Sequence, residues 1–187
     1  LEAMNYMLKH NSSEMKISKC YEGTLMTLFC NKNKWYLSTR RCLDSRESIW
    51  NNSSHYNLFM EVLKEDGYDT LENFTNELNE SYCYNFILLH HLNKNIVDYT
   101  EEFGDDYKKL CLAIVRKQED LTEVEFSNLN EVSKIDISGS IFIPQTIPTI
   151  ENFNSMINNY NNGDIINCLN EGIVIKLKES DVKNTYL

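Results

Sequence analysis

The order of apolar patterns along the chain restricts the fold more than any other feature. β-prone runs at residues 23–29 and 34–38 come first, and helical patterns follow over 56–63 and 71–78. Further β-prone runs cover 82–89, 110–116 and 172–177. Strands and helices do not alternate one by one, as they do in βαβ units. We therefore predict an α+β fold of antiparallel β-sheets with flanking helices.

Turn and cap residues mark the boundaries of these elements. The polar residues 31–33 predict a first hairpin, and 82–89 followed by 95–99 predicts a second. Gly67 is expected to end the first helix and Thr70 to cap the second. A short strand within 135–143 and a helix over 150–160 complete the prediction. We expect a single domain over 1–187, with a poorly structured or added start at 1–13 and a polar tail at 178–187.

Charge limits the partners that the chain can attract. The formal net charge of the 187 residues is −10, so no diffuse basic surface is expected and long nucleic-acid duplexes are excluded as partners. A cleft for one nucleotide or an RNA 5′ end remains compatible with this charge, as does a protein partner docked on the acidic surface. No apolar run approaches the roughly 20 residues of a membrane span, and no signal peptide is evident. We expect a cytoplasmic protein without a membrane partner.

The six cysteines contain no Cys-x-x-Cys pair and mostly lie among apolar residues. This pattern is typical of reduced core thiols in an intracellular protein. Neither the cysteines nor the pair His90 and His91 has zinc-finger spacing, so no zinc site is predicted. The histidine pair is expected to end a strand.

Four segments carry a resemblance to a known superfamily. They are Cys-Tyr-Glu-Gly-Thr at 20–24, the run 35–44, the run 84–89 with Asn-Lys-Asn-Ile-Val at 93–97, and Glu-Gly-Ile-Val-Ile at 171–175. In this order they resemble motifs of RNA ligases of the T4 RNA ligase 1 type and of uncharacterised relatives in large DNA viruses. These ligases belong to the lysine-dependent nucleotidyltransferases, together with DNA ligases and mRNA capping enzymes. The resemblance implies a ligase adenylation-domain fold and a lysine that attacks the α-phosphate of ATP or GTP.

The resemblance also implies roles for individual residues. Glu22 would accept hydrogen bonds from a ribose hydroxyl, and Gly23 would let the backbone approach the nucleotide. Arg40 or Arg41 would pair with the triphosphate, and Phe86 would stack on the base. Glu171 would hold Mg²⁺ or a phosphate-bound water, and Lys176 or Lys183 would face the α-phosphate. Each has a structural alternative: Glu22 and Gly23 as a turn, the arginines as a solvated strand end, Phe86 as a core residue, and residues 171–175 as a turn feeding a buried strand.

Three departures from the superfamily pattern bear on activity. Cys20 stands in the nucleophile position, and Lys19 lies one residue too early, which turns its side chain to the opposite face of a strand. Ile87 replaces the acidic residue of the third motif. The fifth motif survives at most around Lys183. These losses remove the covalent step while leaving residues that shape a pocket.

Three functional hypotheses follow. The first is a nucleotidyltransferase-fold module that binds a nucleotide, an RNA 5′ end or an mRNA cap without covalent transfer, and is thus a pseudoenzyme. The second is an active, Mg²⁺-dependent RNA ligase or capping-type enzyme that uses Lys19 through a local bulge. The third is a structural interaction domain whose acidic surface docks a protein partner.

Overall fold

The computed structural model describes residues 15–147 and 172–177. The described residues fall into two compact units. One contains residues 15–21, 144–147 and 172–177, and the other is Glu22–Ile143. The expected single domain over 1–187 stays a prediction.

The first unit is a small antiparallel sheet. Strand β1 (Met15–Cys20) lies in its centre and pairs on one side with the last strand, β10 (Gly172–Leu177). On the other side β1 pairs with the short strand β9 (Thr146–Ile147). Each residue of β1 has a partner in β10, from Met15 with Leu177 to Cys20 with Gly172.

The second unit is built on a five-stranded sheet of order β3-β2-β6-β7-β8. All neighbours are antiparallel except β7 and β8, which are parallel. A separate two-stranded ribbon joins β4 to β5. The strands are β2 (Thr24–Asn31), β3 (Lys34–Thr39), β4 (Ile49–Trp50), β5 (Ser53–Ser54), β6 (Tyr82–His90), β7 (Lys108–Lys117) and β8 (Ile141–Phe142).

Four α-helices accompany this sheet: α1 (His55–Glu65), α2 (Leu71–Thr75), α3 (Thr100–Phe103) and α4 (Leu129–Val132). A 3₁₀ turn over Phe126–Asn128 precedes α4. The first two helices begin at side-chain caps, because Ser54 accepts from the amide of Asn57 and Thr70 accepts from the amide of Asn73.

One face of the five-stranded sheet forms the core with α1. The alternating residues Met26 and Leu28 of β2 are fully buried on this face, as is Phe86 of β6. The ring of Phe86 meets that of Phe59 of α1 edge-on, with centroids 5.5 Å apart. Burial of each such aromatic side chain stabilises the fold by about 1.5–3 kcal/mol. The core therefore lies between helix and sheet, and it fixes the positions of the strand ends.

The structure confirms the α+β class and most of the predicted elements. The first hairpin turns at Lys32 and Asn33, whose positive φ angles of 50° and 58° are those of a type I′ turn. Thr70 caps α2 as expected, but α2 ends at Thr75 because residues after it turn toward an isolated bridge between Leu78 and Ser133. The helix predicted over 150–160 lies outside the described residues.

The predicted second hairpin is wrong. Strand β6 pairs with β2 and β7, and residues 95–99 form a loop that leads into α3. The local sequence favoured a strand here, but both edges of β6 are already occupied by longer partners. The strand expected within 135–143 is reduced to the two residues of β8.

Three further expectations concern membrane spans, the cysteines and the histidine pair. No helix within the described residues has the length and apolar character needed to cross a membrane. The five cysteines in the described ranges are free thiols. His90 ends β6, as the sequence predicted.

Candidate functional site

Strand register gathers several predicted site residues at one end of the five-stranded sheet. Thr24 at the start of β2 pairs with Leu88 near the end of β6, and Thr39 at the end of β3 pairs with Met26. Glu22, the arginines Arg40 and Arg41, and the loop 91–97 therefore all leave the sheet at this end, which we call the Glu22 end. The opposite end carries the turn of the first hairpin.

The carboxylate of Glu22 binds backbone amides of the loop that follows β6. Its Oε2 accepts from the amide of Ile96 at 2.8 Å and from the amide of Val97 at 3.3 Å. The hydroxyl of Tyr99 accepts from the amide of Glu22 at 2.6 Å and donates to the Glu22 carbonyl at 3.1 Å. Glu22 thus fixes residues 96–99 to the start of β2. The resemblance gave Glu22 a ribose contact, whereas its observed partners are backbone amides.

Two asparagines extend this network. Asn93 donates from Nδ2 to the hydroxyl of Thr24 at 2.8 Å, and Asn95 donates to the hydroxyl of Tyr107 at 3.0 Å. Burial raises the pKa of Tyr107, the Asn95 hydrogen bond opposes this, and the charges of Asp98 and Glu22 add to the increase. Tyr107 therefore stays a neutral phenol. The loop 93–97, which resembles the third motif, is held by the side chains of Thr24 in β2 and of Tyr107, which directly precedes β7.

Gly23 has a packing role in the observed fold. A Cβ at this position would lie 2.5 Å from the carbonyl oxygen of Leu88 and 2.8 Å from Cγ2 of Ile87. The backbone that approaches Gly23 closely is therefore that of β6. The resemblance had assigned this close approach to a nucleotide.

Arg40 and Arg41 are exposed directly after β3. The amide of Arg41 donates to the hydroxyl of Thr39 at 3.4 Å, which shapes the turn at the strand end. Neither guanidinium forms an ion pair with a carboxylate among residues 15–147 and 172–177. Both side chains can therefore bind a phosphate at the Glu22 end.

The stacking role predicted for Phe86 is wrong. Its side chain is completely buried, and its ring packs against Phe59 and, at a centroid distance of 6.1 Å, against Phe74. Alternation along β6 directs Phe86 to the helix side of the sheet, so a ligand cannot reach the ring. Ile87, which the resemblance sets in the position of the third-motif acid, lies on the opposite face and is half-buried.

In the first unit, Cys20 and Lys19 occupy successive positions of β1 and point to opposite faces. Cys20 pairs with Gly172, which follows Glu171, while Lys19 pairs with Ile173. The amine of Lys19 lies 4.8 Å from the centre of the Tyr21 ring. The register from Met15 to Cys20 has no shift, so the bulge required for Lys19 to replace Cys20 is absent from β1.

The remaining predicted residues are only partly described. Lys176 lies in β10 and pairs with Lys16, on the face of the sheet that also carries Cys20. Glu171 and Lys183 lie outside the described residues. No group of three or more histidine, cysteine or acidic side chains with metal-site geometry occurs within the described part of the chain. A Mg²⁺ site at Glu171 stays a prediction.

Sequence reasoning missed several residues that organise the site. Tyr99 makes two hydrogen bonds to Glu22, 77 positions earlier, and no local pattern signals such a contact. Sequence reasoning also missed an aromatic pair away from the site, near the first hairpin turn: Phe29 and Tyr36 stack with centroids 5.5 Å apart on the side of the sheet opposite Phe86. Their alternation with the buried residues of β2 and β3 was visible in the sequence and could have identified them.

Searches with the full sequence provide no family assignment. No model of a known protein family matches the chain, and no curated protein is significantly similar to it.

Proposed function

We propose that this protein is a nucleotidyltransferase-like module that binds a nucleotide, an RNA 5′ end or an mRNA cap without covalent transfer. The observation that carries the proposal is the pairing of β1 with β10. This register sets Cys20, in the nucleophile position of the first motif, directly opposite Gly172 of the fourth motif. Two segments that lie about 150 positions apart in the chain are thus neighbours in one sheet, and this supports the proposal.

The Glu22 end supplies the phosphate contacts in this proposal. Arg40 and Arg41 are exposed there, and a guanidinium can bind two phosphate oxygens at once. In a chain of net charge −10, a triphosphate needs such a local cationic clamp. The amide-bound Glu22 holds the loop 93–97 at the same end of the sheet. Its role in binding is therefore that of a positioning residue.

The absence of transfer follows from the chemistry of the first motif. The phosphoramidate intermediate of this superfamily requires a lysine amine, and Cys20 offers a thiol instead. Lys19 points to the other face of β1, and Ile87 provides no carboxylate in the third-motif position. ATP, GTP and an RNA cap are then ligands, and Mg²⁺ would act only as a phosphate counter-ion.

Calorimetric titration with ATP, GTP, 5′-triphosphorylated RNA and capped RNA tests the proposal. Charge reversal in Arg40→Glu or Arg41→Glu should weaken binding about tenfold, because it removes a charge-assisted bidentate contact. Lys32→Glu is the matched control, since it makes the same charge change at the exposed turn at the opposite end of the sheet. No binding by the parent protein, or equal weakening in Lys32→Glu, would contradict the proposal.

A labelling experiment tests the absence of transfer. The protein is incubated with α-labelled ATP or GTP and Mg²⁺ and then separated by denaturing electrophoresis. We expect no labelled band for the parent protein or for Cys20→Lys, since Ile87 still leaves the third motif without its acid. A band that disappears in Lys19→Ala would establish the active alternative.

A further inference from the structure

The face of the five-stranded sheet opposite α1 is covered on one side only. Near β8, Phe103 of α3 packs against Phe142 with ring centroids 5.5 Å apart, and Leu89 and Cys111 are buried. Over β3, β2 and the first half of β6, the side chains of this face are half-buried. We call this second part the open face. Its residues are Thr27, Phe29, Tyr36, Cys83 and Asn85.

Two aromatic side chains form a platform on the open face. Phe29 and Tyr36 are paired across β2 and β3, and their rings stack with centroids 5.5 Å apart and an interplanar angle of 16°. Both side chains are half-buried, so part of each stays accessible. The amine of Lys34 lies 5.2 Å from the centre of the Tyr36 ring. Unpaired nucleobases stack on aromatic side chains of this kind, and a neighbouring cation binds their phosphates.

Polar side chains lie beside this platform. Thr27 and Asn85 are paired across β2 and β6, and the Thr27 hydroxyl donates to Oδ1 of Asn85 at 3.0 Å. Within the described residues, Nδ2 of Asn85 contacts only the sulfur of Cys83, at 3.8 Å. An amide nitrogen carries two hydrogens, so Asn85 retains a donor for a ligand. Such a donor suits a base edge or the 2′-hydroxyl of ribose.

The charge of the sheet suits a polyanion. The five strands contain no aspartate or glutamate, although the chain has 28 acidic residues. The cations of these strands are Lys34, Lys108, Lys109, Arg116 and Lys117. In a chain of net charge −10, the sheet is therefore a local exception, and it can attract one strand of nucleic acid without an extended basic surface.

Acidic residues beyond the strands have cationic partners of their own. Glu123, next to β7, lies 3.8 Å from Arg116. Asp44, beyond the edge of β3, pairs with Arg46 at 3.1 Å. These pairs compensate Arg116 as well as the two carboxylates, which leaves Lys34 as the cation beside the aromatic platform.

We propose that the open face binds a single strand of RNA, with unpaired bases stacked on Phe29 and Tyr36. Lys34 binds a phosphate beside the platform, and Asn85 donates to a 2′-hydroxyl or a base edge. Bases inside a duplex cannot reach these rings, so the site selects unpaired nucleotides. It lies near the first hairpin turn, and it does not depend on the nucleotide site proposed at the Glu22 end.

The test is an anisotropy titration of the full chain with a 3′-fluorescein octaribonucleotide of alternating adenine and cytosine. This RNA carries a 5′-hydroxyl, so it lacks the terminal phosphates that the nucleotide site requires. One control is an abasic strand with the same number of phosphates, and the other is the DNA octamer of the same sequence. We expect saturable binding of the RNA, at least tenfold weaker binding of the abasic strand and at least threefold weaker binding of the DNA.

Protein variants locate the site. Phe29→Thr and Tyr36→Thr should each weaken RNA binding at least fivefold, because a stacking surface is lost. Tyr82→Thr is the matched control, since it removes an aromatic ring that packs against the core on the helix side, and it should change the affinity less than twofold. Lys34→Glu should weaken binding about threefold, whereas Lys64→Glu, the same charge change at an exposed position of α1, should not.

Circular dichroism verifies that each variant is folded, and the comparison of the three strands on the parent protein needs no variant. Absence of RNA binding, or equal affinity for the RNA and either control strand, would overturn the proposal. Equal weakening in Tyr36→Thr and Tyr82→Thr would overturn it too. Displacement of the RNA by ATP would do the same, because the RNA would then occupy the nucleotide site. Titration of the parent with ATP alone decides the function proposed above, so the two proposals fail independently.

Discussion

Two carboxylates in the second unit hold loops by the same chemistry. Asp66, at the end of α1, accepts from the amide of Ser140 at 2.8 and 3.0 Å and from that of Ile141 at 3.1 Å. Glu22 accepts from the amides of Ile96 and Val97. Asp66 lies in no recognised motif, whereas Glu22 lies in the segment that resembles the first nucleotidyltransferase motif.

The two residues differ in the number of carboxylate oxygens that accept hydrogen bonds from the loop. Both oxygens of Asp66 bind amides, and Ser140 also donates its hydroxyl to Glu65 at 3.3 Å. Both bonds of Glu22 go to Oε2 alone. A motif-like acidic residue can therefore have a purely structural role, and the functional proposal depends on the β1–β10 register and the exposed arginines rather than on Glu22.

The largest expected effect on stability comes from substituting the glycines next to these carboxylates, Gly23 beside Glu22 and Gly139 beside Asp66. Gly23→Ala should reduce the free energy of unfolding by about 3 kcal/mol, because its Cβ would lie 2.5 Å from the backbone carbonyl of Leu88. Gly139→Ala should cost about 1–2 kcal/mol, since its Cβ would meet the Asp66 side chain, which can move away and lose amide bonds. Urea denaturation measures both. A greater loss in Gly139→Ala would contradict this order.

The next comparison removes the carboxylates themselves. Asp66→Ala should reduce the free energy of unfolding by about 2–3 kcal/mol, because it leaves the amides of Ser140 and Ile141 without acceptors. Glu22→Ala should cost about 1–2 kcal/mol, since its loop is more exposed. Asp105→Ala, at an exposed position, is the control and should change stability little. Equal losses in all three variants would show that the two loops do not depend on these side chains.

Much of the fold could be predicted because its signals are local. Alternation along β2 and β6 and the turn at Lys32 and Asn33 depend on neighbouring residues. The site could be predicted only in part. The positions of Arg40 and Arg41 follow from the end of β3, but the contact of Glu22 with residues 96–99 spans more than 70 positions and depends on tertiary packing.

Phe86 shows why a motif position does not establish a role. The sequence permitted either a stacking platform or a core residue. The face of the sheet on which the Phe86 side chain lies decides between them. The register with β7 also shifts by one residue here, because Asn85 pairs with Ile114 and Phe86 pairs with Leu112. Such irregularities have no clear sequence signature in this strand.

A smaller effect is expected at Tyr99, which supports Glu22 but has no counterpart at Asp66. Tyr99→Phe should reduce the free energy of unfolding by about 1 kcal/mol, because the Glu22 amide and carbonyl lose their shared hydroxyl partner. Tyr82→Phe on β6 is the matched control. Hydrogen exchange should show faster exchange at Ile96 and Val97 in Tyr99→Phe, with Ser140 and Ile141 unchanged. Unchanged exchange at Ile96 would mean that Tyr99 does not support the Glu22 contact.

The smallest effect is a pH dependence of the same loop. Burial lowers the pKa of His90, the Glu61 carboxylate opposes this, and His91 and Lys108 add to the decrease. His90 Nδ1 accepts from the amide of Leu92 at 3.1 Å, and Nε2 contacts Glu61 at 3.2 Å. The pKa of His90 is lower in the folded state than its ordinary value of about 6.5. The stabilisation from the neutral His90 side chain is therefore fully present above that ordinary value and is lost as the pH falls toward the folded-state pKa.

Thermal unfolding between pH 8 and pH 5.5 measures this dependence. We expect the parent protein to lose more stability on acidification than His90→Asn, whose amide oxygen can still accept from Leu92 but does not titrate. Identical pH profiles for the two proteins would exclude His90 as the source.

The most direct test of the central claim is amide chemical-shift mapping of the full chain during titration with ATP and GTP. We predict that the amides of Gly23, Arg41, Ile96 and Val97 shift with a common saturation curve, while Lys32 and Asn33 at the opposite end of the sheet do not. Saturable shifts at the Glu22 end, lost in Arg40→Glu, would support a nucleotide-binding module. No shifts, or shifts confined to residues around Phe29 and Tyr36, would contradict it.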